Sequence, residues 1–286
     1  SCPRSVSIFD SKSHPWLKEI PRAPGDLFVE GKVEVLFEPC FAIVGTRKPT
    51  RYGIRAALYF SKKLASLGFT IVSGLARGID SYANRGALLA GGKTAAVLGH
   101  GLSQIYPEEN FFLSQEILKS GGCLISEYGW PVPPLRHHFP ERNRIISGLC
   151  LGALIIEAAE KSGSLITARL AMEQNREVFV IPSRFNEPSF LGGHLLLQEG
   201  AKLVLTVKDI LNELRFNIEM PEPSIEEESR WLNIKSLFDD QEGILTLSYL
   251  YSFPKWRREL LIKELEHAVA QKKAVETAPQ LFFWVD

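Results

Sequence analysis

The chain has 286 residues, of which 45% are hydrophobic and 23% charged, an ordinary globular composition with room for an α/β domain of about 200 residues and a small partner. No apolar run approaches the roughly 18 residues that span a bilayer, so no membrane segment is expected. Thirty-three basic and 33 acidic side chains cancel to zero formal charge, so bulk charge points to no polyanion and any such partner has to be argued from local clusters.

Ser1 to Val6 lacks a basic stretch followed by a long apolar one; no secretory leader is expected, and the cytoplasm is the expected compartment. Cysteines stand at 2, 40, 123 and 150 without a Cys-x-x-Cys pair, the pattern of buried thiols rather than of a zinc ribbon or a redox motif. None of the six histidines forms a His-Glu-x-x-His arrangement, so neither a metal nor a cofactor is expected.

Residues 1 to 40 carry five prolines and short apolar runs at Val6 to Phe9 and Leu27 to Val29, which reads as an irregular lead-in with a strand or two, packed on the domain that follows. From Phe41 apolar runs alternate with segments of helical length. The runs are Phe41 to Val44, Phe69 to Val72, Thr94 to Leu98, Cys123 to Ile125, Ala153 to Ile156, Val178 to Ile181 and Leu203 to Leu205. Continuous rather than alternating apolarity fits strands buried on both faces, so the spacing predicts a doubly wound, mostly parallel α/β sheet over 41–215. Thr50 is placed to cap a helix through about Leu67, and Ser164 one through about Gln174.

An acidic, proline-bearing stretch follows at 216–229, with five glutamates between Glu219 and Glu228, typical of a linker. The remainder, 230–286, offers helical pieces near Arg230 to Phe238, Gly243 to Leu250 and Trp256 to Gln271. A hairpin from Lys273 to Glu276 and Gln280 to Val285 would follow, together a small winged-helix-like module.

The chemistry-bearing loops all follow strands, where open α/β sheets bind ligands. Gly45-Thr46-Arg47-Lys48 joins the first long strand to a helix: the glycine lets a phosphate approach, the helix start offers N–H groups, and the basic pair supplies charge. Between Phe41 and Lys63 lie six basic residues and no acidic one. Ser73-Gly74-Leu75-Ala76-Arg77-Gly78 follows the next strand, and Gly99-His100-Gly101 the third. Their spacing departs from the dinucleotide fingerprint, and no acid ends the second strand to hold a ribose, so NAD binding is disfavoured. Phe139 stands beside Arg142, Asn143 and Arg144, an aromatic among guanidinium groups that suits single-strand stacking, although Phe139 also suits a core anchor. His137 and His138 read as solvated. Ser162-Gly163-Ser164 offers hydroxyls and N–H groups to phosphate oxygens, or simply caps.

In order, Ala42-Ile43-Val44-Gly45-Thr46-Arg47 with Tyr52-Gly53, Val72 through Asp80, Ala96 through Leu102 with Tyr106-Pro107, Phe139 through Gly148, and Ser162 through Ala168 resemble the DNA-processing protein A (DprA/Smf) family. The match covers about Phe41 to Leu205, nearly the whole sheet domain. It implies an extended Rossmann-like fold that binds single-stranded DNA in a basic pocket, forms a homodimer, and loads the recombinase RecA onto incoming strands during natural transformation. Such a protein acts as a mediator, not an enzyme. The implied strand contacts are Gly45, Arg47, Gly74, Phe139, Arg142 and Arg144. Thr46, Lys48, Ser73, Arg77, Asn143, Ser162 and Ser164 join them from the reading of the loops. The sequence departs from the family pattern at Asn84, Ser183 and His194, and the helical amino-terminal domain common in the family is not found ahead of residue 41, as expected of a short member or a trimmed chain.

Two other functions fit the residues. A nucleotide-handling enzyme, such as a nucleoside-monophosphate hydrolase, would use Glu127 or Glu157 as acid or base at a strand end; alternatively, these carboxylates orient arginines or cap backbone groups. An interaction module would work through the acidic linker and the tail.

Overall fold

The computed structural model describes residues 4–7, 14, 16–216, 244–246, 262, 265–266, 269–270, 274–278 and 281–284. The chain divides into two compact units, Ser1–Ile218 and Glu219–Asp286. The first carries strands β1 (Arg4–Ser7), β2 (Asp26–Gly31), β3 (Cys40–Gly45), β4 (Thr70–Ser73), β5 (Thr94–Leu98), β6 (Cys123–Ser126), β7 (Gly152–Ile156), β8 (Glu177–Val180) and β9 (Lys202–Leu203). Its helices are α1 (Arg51–Ser66), α2 (Ile79–Leu89), α3 (Phe111–Lys119), α4 (His138–Leu149), α5 (Ser164–Glu173), α6 (Leu191–Gln198) and α7 (Val207–Glu213).

The nine strands form one sheet in the order β1-β2-β6-β5-β4-β3-β7-β8-β9. From β6 to β9 every neighbouring pair is parallel. The lead-in is more regular than its prolines suggest: β1 pairs antiparallel with β2, setting Val6 opposite Leu27, and β2 pairs antiparallel with β6, setting Val29 opposite Ile125. The lead-in therefore covers what would otherwise be an open edge of the parallel array.

Residues of β3, β5 and β7 are buried almost throughout, because helices cover both faces. Alternation along each strand sorts the faces. Ala42, Val44, Val72, Ala95 and Val97 join one apolar cluster with Ile145, Leu149, Leu165 and Ala168 of α4 and α5. Ala96, Leu98 and Leu124 join another with Leu113 and Ile117 of α3. At the centre, the fully buried Phe41 ring sits 6.2 Å from Phe69 and 5.7 Å from Phe179, and Phe69 continues to Phe216 at 5.2 Å. Each such ring contributes about 1.5–3 kcal/mol by leaving water.

Chain order creates the crevice. Strands run outward from β3 through β4, β5 and β6; α4 then returns the chain across one face to place β7 on the other side of β3. At this reversal the connections leaving β3 and β7 diverge, which in doubly wound sheets opens a ligand-binding crevice beyond the strand ends.

Helix starts match the sequence unevenly. Thr50 caps α1, its hydroxyl accepting from the Gly53 N–H at 3.2 Å. Ser164, expected as a cap, is instead the first residue of α5, and Gly163 precedes it. The second unit contains β10 (Ile244–Thr246), β11 (Ala274–Ala278) and β12 (Leu281–Trp284), a three-stranded antiparallel sheet in the order β10-β12-β11. Ile244–Thr246, expected within a helical piece, is thus a strand; a short aliphatic run is compatible with either state until a neighbouring strand pairs with it. The acidic linker, the helical piece near 230–238 and Cys2 lie outside the described residues. Among the described residues no helix is long and apolar enough to cross a membrane.

Candidate nucleic-acid interface

The β3–α1 loop is clamped on both sides. Gly45 lies so near the neighbouring strand end that a Cβ would stand 1.8 Å from the Ile156 carbonyl oxygen. The Thr46 N–H donates to the Glu157 carbonyl at 2.8 Å, and the Thr46 carbonyl accepts from the Ile79 N–H at 3.1 Å. Glu157 itself is buried, and its carboxylate accepts from both the N–H and the hydroxyl of Thr50, at 2.8 and 2.9 Å. With the backbone held, Arg47 and Lys48 project into solvent.

Beneath this loop two opposite charges, Arg142 and Asp80, lie buried on either side of Gly74. Arg142, on α4, is 4% exposed. Its guanidinium donates to the carbonyl of Gly74 at 2.9 Å and to that of Val97, and its Nε to the Asn143 side chain at 3.2 Å. Asp80, also buried, accepts from the Gly74 N–H at 3.0 Å. Gly74 is wedged between them: a Cβ there would lie 2.7 Å from both Arg142 Nη atoms and from Asp80 Oδ2. Burial pushes the Asp80 carboxyl up while the neighbouring Arg142 charge and the Gly74 N–H pull it back. Burial likewise lowers Arg142 to about 10, against the opposing pull of Asp80. The guanidinium ties the ends of β4 and β5 to α4 and lends its charge to the cleft floor.

Phe139, one turn earlier on α4, is half-buried at the cleft mouth. Its ring lies 5.8 Å from the Arg47 guanidinium carbon, 6.0 Å from that of Arg142 and 5.8 Å from the Tyr106 ring. Gly99 backs it closely, with room for no more than a hydrogen. Across the cleft stands the start of α5, where the Ser162 and Ser164 hydroxyls pair at 2.7 Å and the Asn143 amide reaches the Gly163 carbonyl at 3.5 Å. The cleft volume is about 640 Å³, bounded by the end of β3, the loop after β4, α4 and the start of α5.

Of the residues expected from sequence, Gly45, Arg47, Phe139, Arg142, Asn143, Ser162 and Ser164 line this cleft. Others face elsewhere. The Ser73 hydroxyl is buried and donates to the Ile43 carbonyl at 2.7 Å. Arg77 is exposed and paired with Glu109 at 3.0 Å. Arg144 is turned away from the cleft, buried between Glu127 and the Arg22 carbonyl. Thr46 and Lys48 sit in the clamped loop rather than on the cleft wall. Glu127 and Glu157 orient an arginine and cap a helix. His138, read as solvated, is buried and stacks on Tyr128 at 3.9 Å, whereas His137 is exposed. Sequence reasoning missed Tyr106 and Arg136, both lining residues; Arg136 lies three residues before Phe139, a signal that a count of basic residues around that aromatic would have found. Cys40, Cys123 and Cys150 are free and buried, and burial pushes the Cys40 thiol up to about 12. The described residues hold no cluster of His, Cys, Asp or Glu able to bind a metal.

The chain is 48% identical over 195 residues to Protein Smf of Escherichia coli, covering 68% of this chain and 52% of that protein; it therefore spans about half the length of that relative. It is 45% identical over 213 residues to the DNA processing protein DprA of Streptococcus pneumoniae. The X-ray structure of the S. pneumoniae protein superposes with a TM-score of 0.70 at 43% identity, covering 76% of this chain and 75% of that one. A structure concerned with the single-stranded DNA binding mode of DNA processing protein A from Helicobacter pylori superposes with a TM-score of 0.66 at 32% identity, covering 74% of this chain and 95% of that one. The family model of DNA recombination-mediator protein A matches residues 5–215, which are the sheet, the clamped loop and the cleft together, and the chain belongs to that family.

Proposed function

We propose that this chain binds single-stranded DNA in the cleft between the β3–α1 loop, α4 and the start of α5, without preference for base sequence. The observation that carries the proposal is the half-buried Phe139 ring with the guanidinium groups of Arg47 and Arg142 both about 6 Å from its centre. A base stacks on such a ring whatever its identity, and the adjacent charges and α5 N–H groups receive its phosphates. The H. pylori relative, whose structure concerns its single-stranded DNA binding mode, supports single-stranded DNA as the ligand.

Membership of a recombination-mediator family supports a wider role as well. The chain acts in the cytoplasm as a homodimeric mediator that protects incoming single strands and passes them to the recombinase RecA during natural transformation. Catalysis forms no part of this role: the two carboxylates that an enzyme would use, Glu127 and Glu157, are engaged with Arg144 and Thr50. Fluorescence anisotropy of a labelled oligothymidine across a salt series tests the binding. Affinity should fall with a log–log slope of about −0.7 per phosphate neutralised, and unlabelled single strands should compete where duplex does not. Indifference to salt, or equal competition by duplex, would overturn the stacking-cleft account; release of free base from nucleoside monophosphates would favour the enzyme.

A further inference from the structure

Beyond α1's first turn, on the side of the β3–α1 loop away from Phe139, lies a second recess of about 350 Å³. Tyr52 forms one wall, Pro182 and Ser183 the floor, and Phe190 the far side. The Tyr52 hydroxyl donates to the Pro182 carbonyl at 2.8 Å, and the Tyr52 and Phe190 rings stand 5.6 Å apart. This bond fixes the first turn of α1 against the loop that follows β8. Because β8 lies parallel to β7 and β7 to β3, the recess opens at the same edge of the sheet as the central cleft. Only the stretch from Arg47 to Thr50 separates the two.

In the loop that forms the floor, Phe185 is 90% exposed. A phenylalanine held almost wholly in water gains nothing for the fold, and it stands directly after the exposed Arg184. The recess also contains Glu187, which accepts from the Ser189 hydroxyl at 3.3 Å; a carboxylate there would repel a phosphate but can accept from a base amino group. The lining thus holds one charge of each sign, Arg184 and Glu187, beside the Tyr52 ring, which suits a flat, hydrogen-bonding base with its phosphates directed to Arg184 and the neighbouring Lys48.

We infer that a strand held in the central cleft continues over the Arg47–Thr50 loop into this recess, where the half-exposed Tyr52 ring, backed by the buried Phe190, receives a second base and Phe185 stacks on the next. The inference rests on the strand-binding proposal. The occupant is single-stranded nucleic acid because the recess lies one short basic loop from the central cleft at the same edge of the sheet, and because exposed aromatic residues beside basic ones are how sequence-indifferent strand grooves are built.

The test measures the dissociation constants of oligothymidines of about 4 and about 16 nucleotides, lengths spanning the usual range of single-strand sites. The full chain is compared with Phe185→Ala and Phe185→Trp. Loss of one stacked base should weaken the long oligomer by about five- to a hundredfold, should leave the short one within about twofold, and should be reversed by tryptophan. Phe185 is exposed, so the melting temperature should not change. Unchanged affinity for the long oligomer would overturn the inference and leave the central cleft standing. Equal loss at both lengths would also overturn it, because Phe185 would then be acting on the first site or on assembly of two copies. If the unaltered chain binds neither oligomer, the strand-binding proposal fails and the second recess fails with it.

Discussion

Glu157 closes its carboxylate on Thr50, accepting from the backbone N–H at 2.8 Å and from the hydroxyl at 2.9 Å, across 107 positions of sequence. The contact places a negative charge at the amino terminus of α1, where the unpaired N–H groups and the helix dipole favour it. It also sets the path of the basic loop that ends at Thr50. Glu157→Gln should therefore destabilise the fold by about 1–3 kcal/mol, the usual cost of disturbing a buried hydrogen bond to a charged group. Denaturant unfolding measures this. A variant as stable as the parent would show that the contact is incidental and would reopen the catalytic reading of Glu157.

Arg142 is expected to behave as a strut with a binding consequence, not as a simple phosphate contact. Truncation to alanine removes the donor to the Gly74 and Val97 carbonyls and leaves Asp80 buried without its counter-charge. Leaving a buried charge uncompensated in this way costs about 3–5 kcal/mol. Arg142→Ala should lower the melting temperature markedly and weaken oligothymidine binding together. Arg47→Ala, at an exposed position, should weaken binding and flatten the salt slope by about 0.7 while leaving the melting temperature unchanged. If the two variants proved indistinguishable in stability, the difference in burial between the two arginines would have no energetic meaning.

How much of this was legible beforehand depended on the distance over which each signal acts. The parallel strands announced themselves because burial on both faces makes continuous apolar runs such as Ala153 to Ile156. In the lead-in the runs at Val6 and Leu27 showed the strands but not their antiparallel pairing, because β2 pairs with β6, nearly a hundred residues beyond Leu27, and β1 adds to β2. Arg142 and Arg144 looked equivalent as charges, yet two positions on a helix are about 200° apart, so they could not both face one cleft. That geometry was available in the sequence. The role of Glu157 was not, since Thr50 is joined to it only by the fold, and neither was the exposure of Phe185, which depends on a loop with no periodic pattern.

Phe139 should carry much of the affinity. Phe139→Ala removes the stacking surface and should reduce oligothymidine binding by about 1–3 kcal/mol, with little dependence on base composition. Phe139→Tyr keeps the ring and should bind within about threefold of the parent by the same reasoning. Combination with Arg47→Ala should fall short of the sum of the single effects, because the two groups are 5.8 Å apart and act on one strand. Strict additivity would place them at separate sites.

Two glycines at the cleft predict opposite outcomes. Gly45→Ala would force a Cβ to within 1.8 Å of the Ile156 carbonyl oxygen, a backbone atom of a central strand that cannot move aside; this variant should fold poorly or not at all. Gly163→Ala meets nothing within 4 Å, and the φ of −63° is helical. It should fold normally, with thermal unfolding close to that of the parent, and because the cleft is open at this point it should still bind oligothymidine.

His14 gives the fold a pH dependence remote from the cleft. Its ring is buried 5.6 Å from Trp16 and 6.1 Å from Phe37, and its Nδ1 has no hydrogen-bond partner among the described residues. Burial, reinforced by the charge of Arg176, lowers its pKa from 6.5 to about 4. The unfolded chain thus binds a proton at a pH where the folded one does not, so the contribution is fully present above 6.5 and declines as the pH falls toward 4. A difference of this size corresponds to about 3 kcal/mol. Unfolding free energies measured at pH 7 and pH 4 should show that loss in the parent on top of whatever the carboxylates contribute, and His14→Phe, which keeps an aromatic ring beside Trp16 and cannot be protonated, should show a correspondingly smaller decline. An identical decline in both proteins would mean that His14 titrates in the folded chain as it does in the unfolded one.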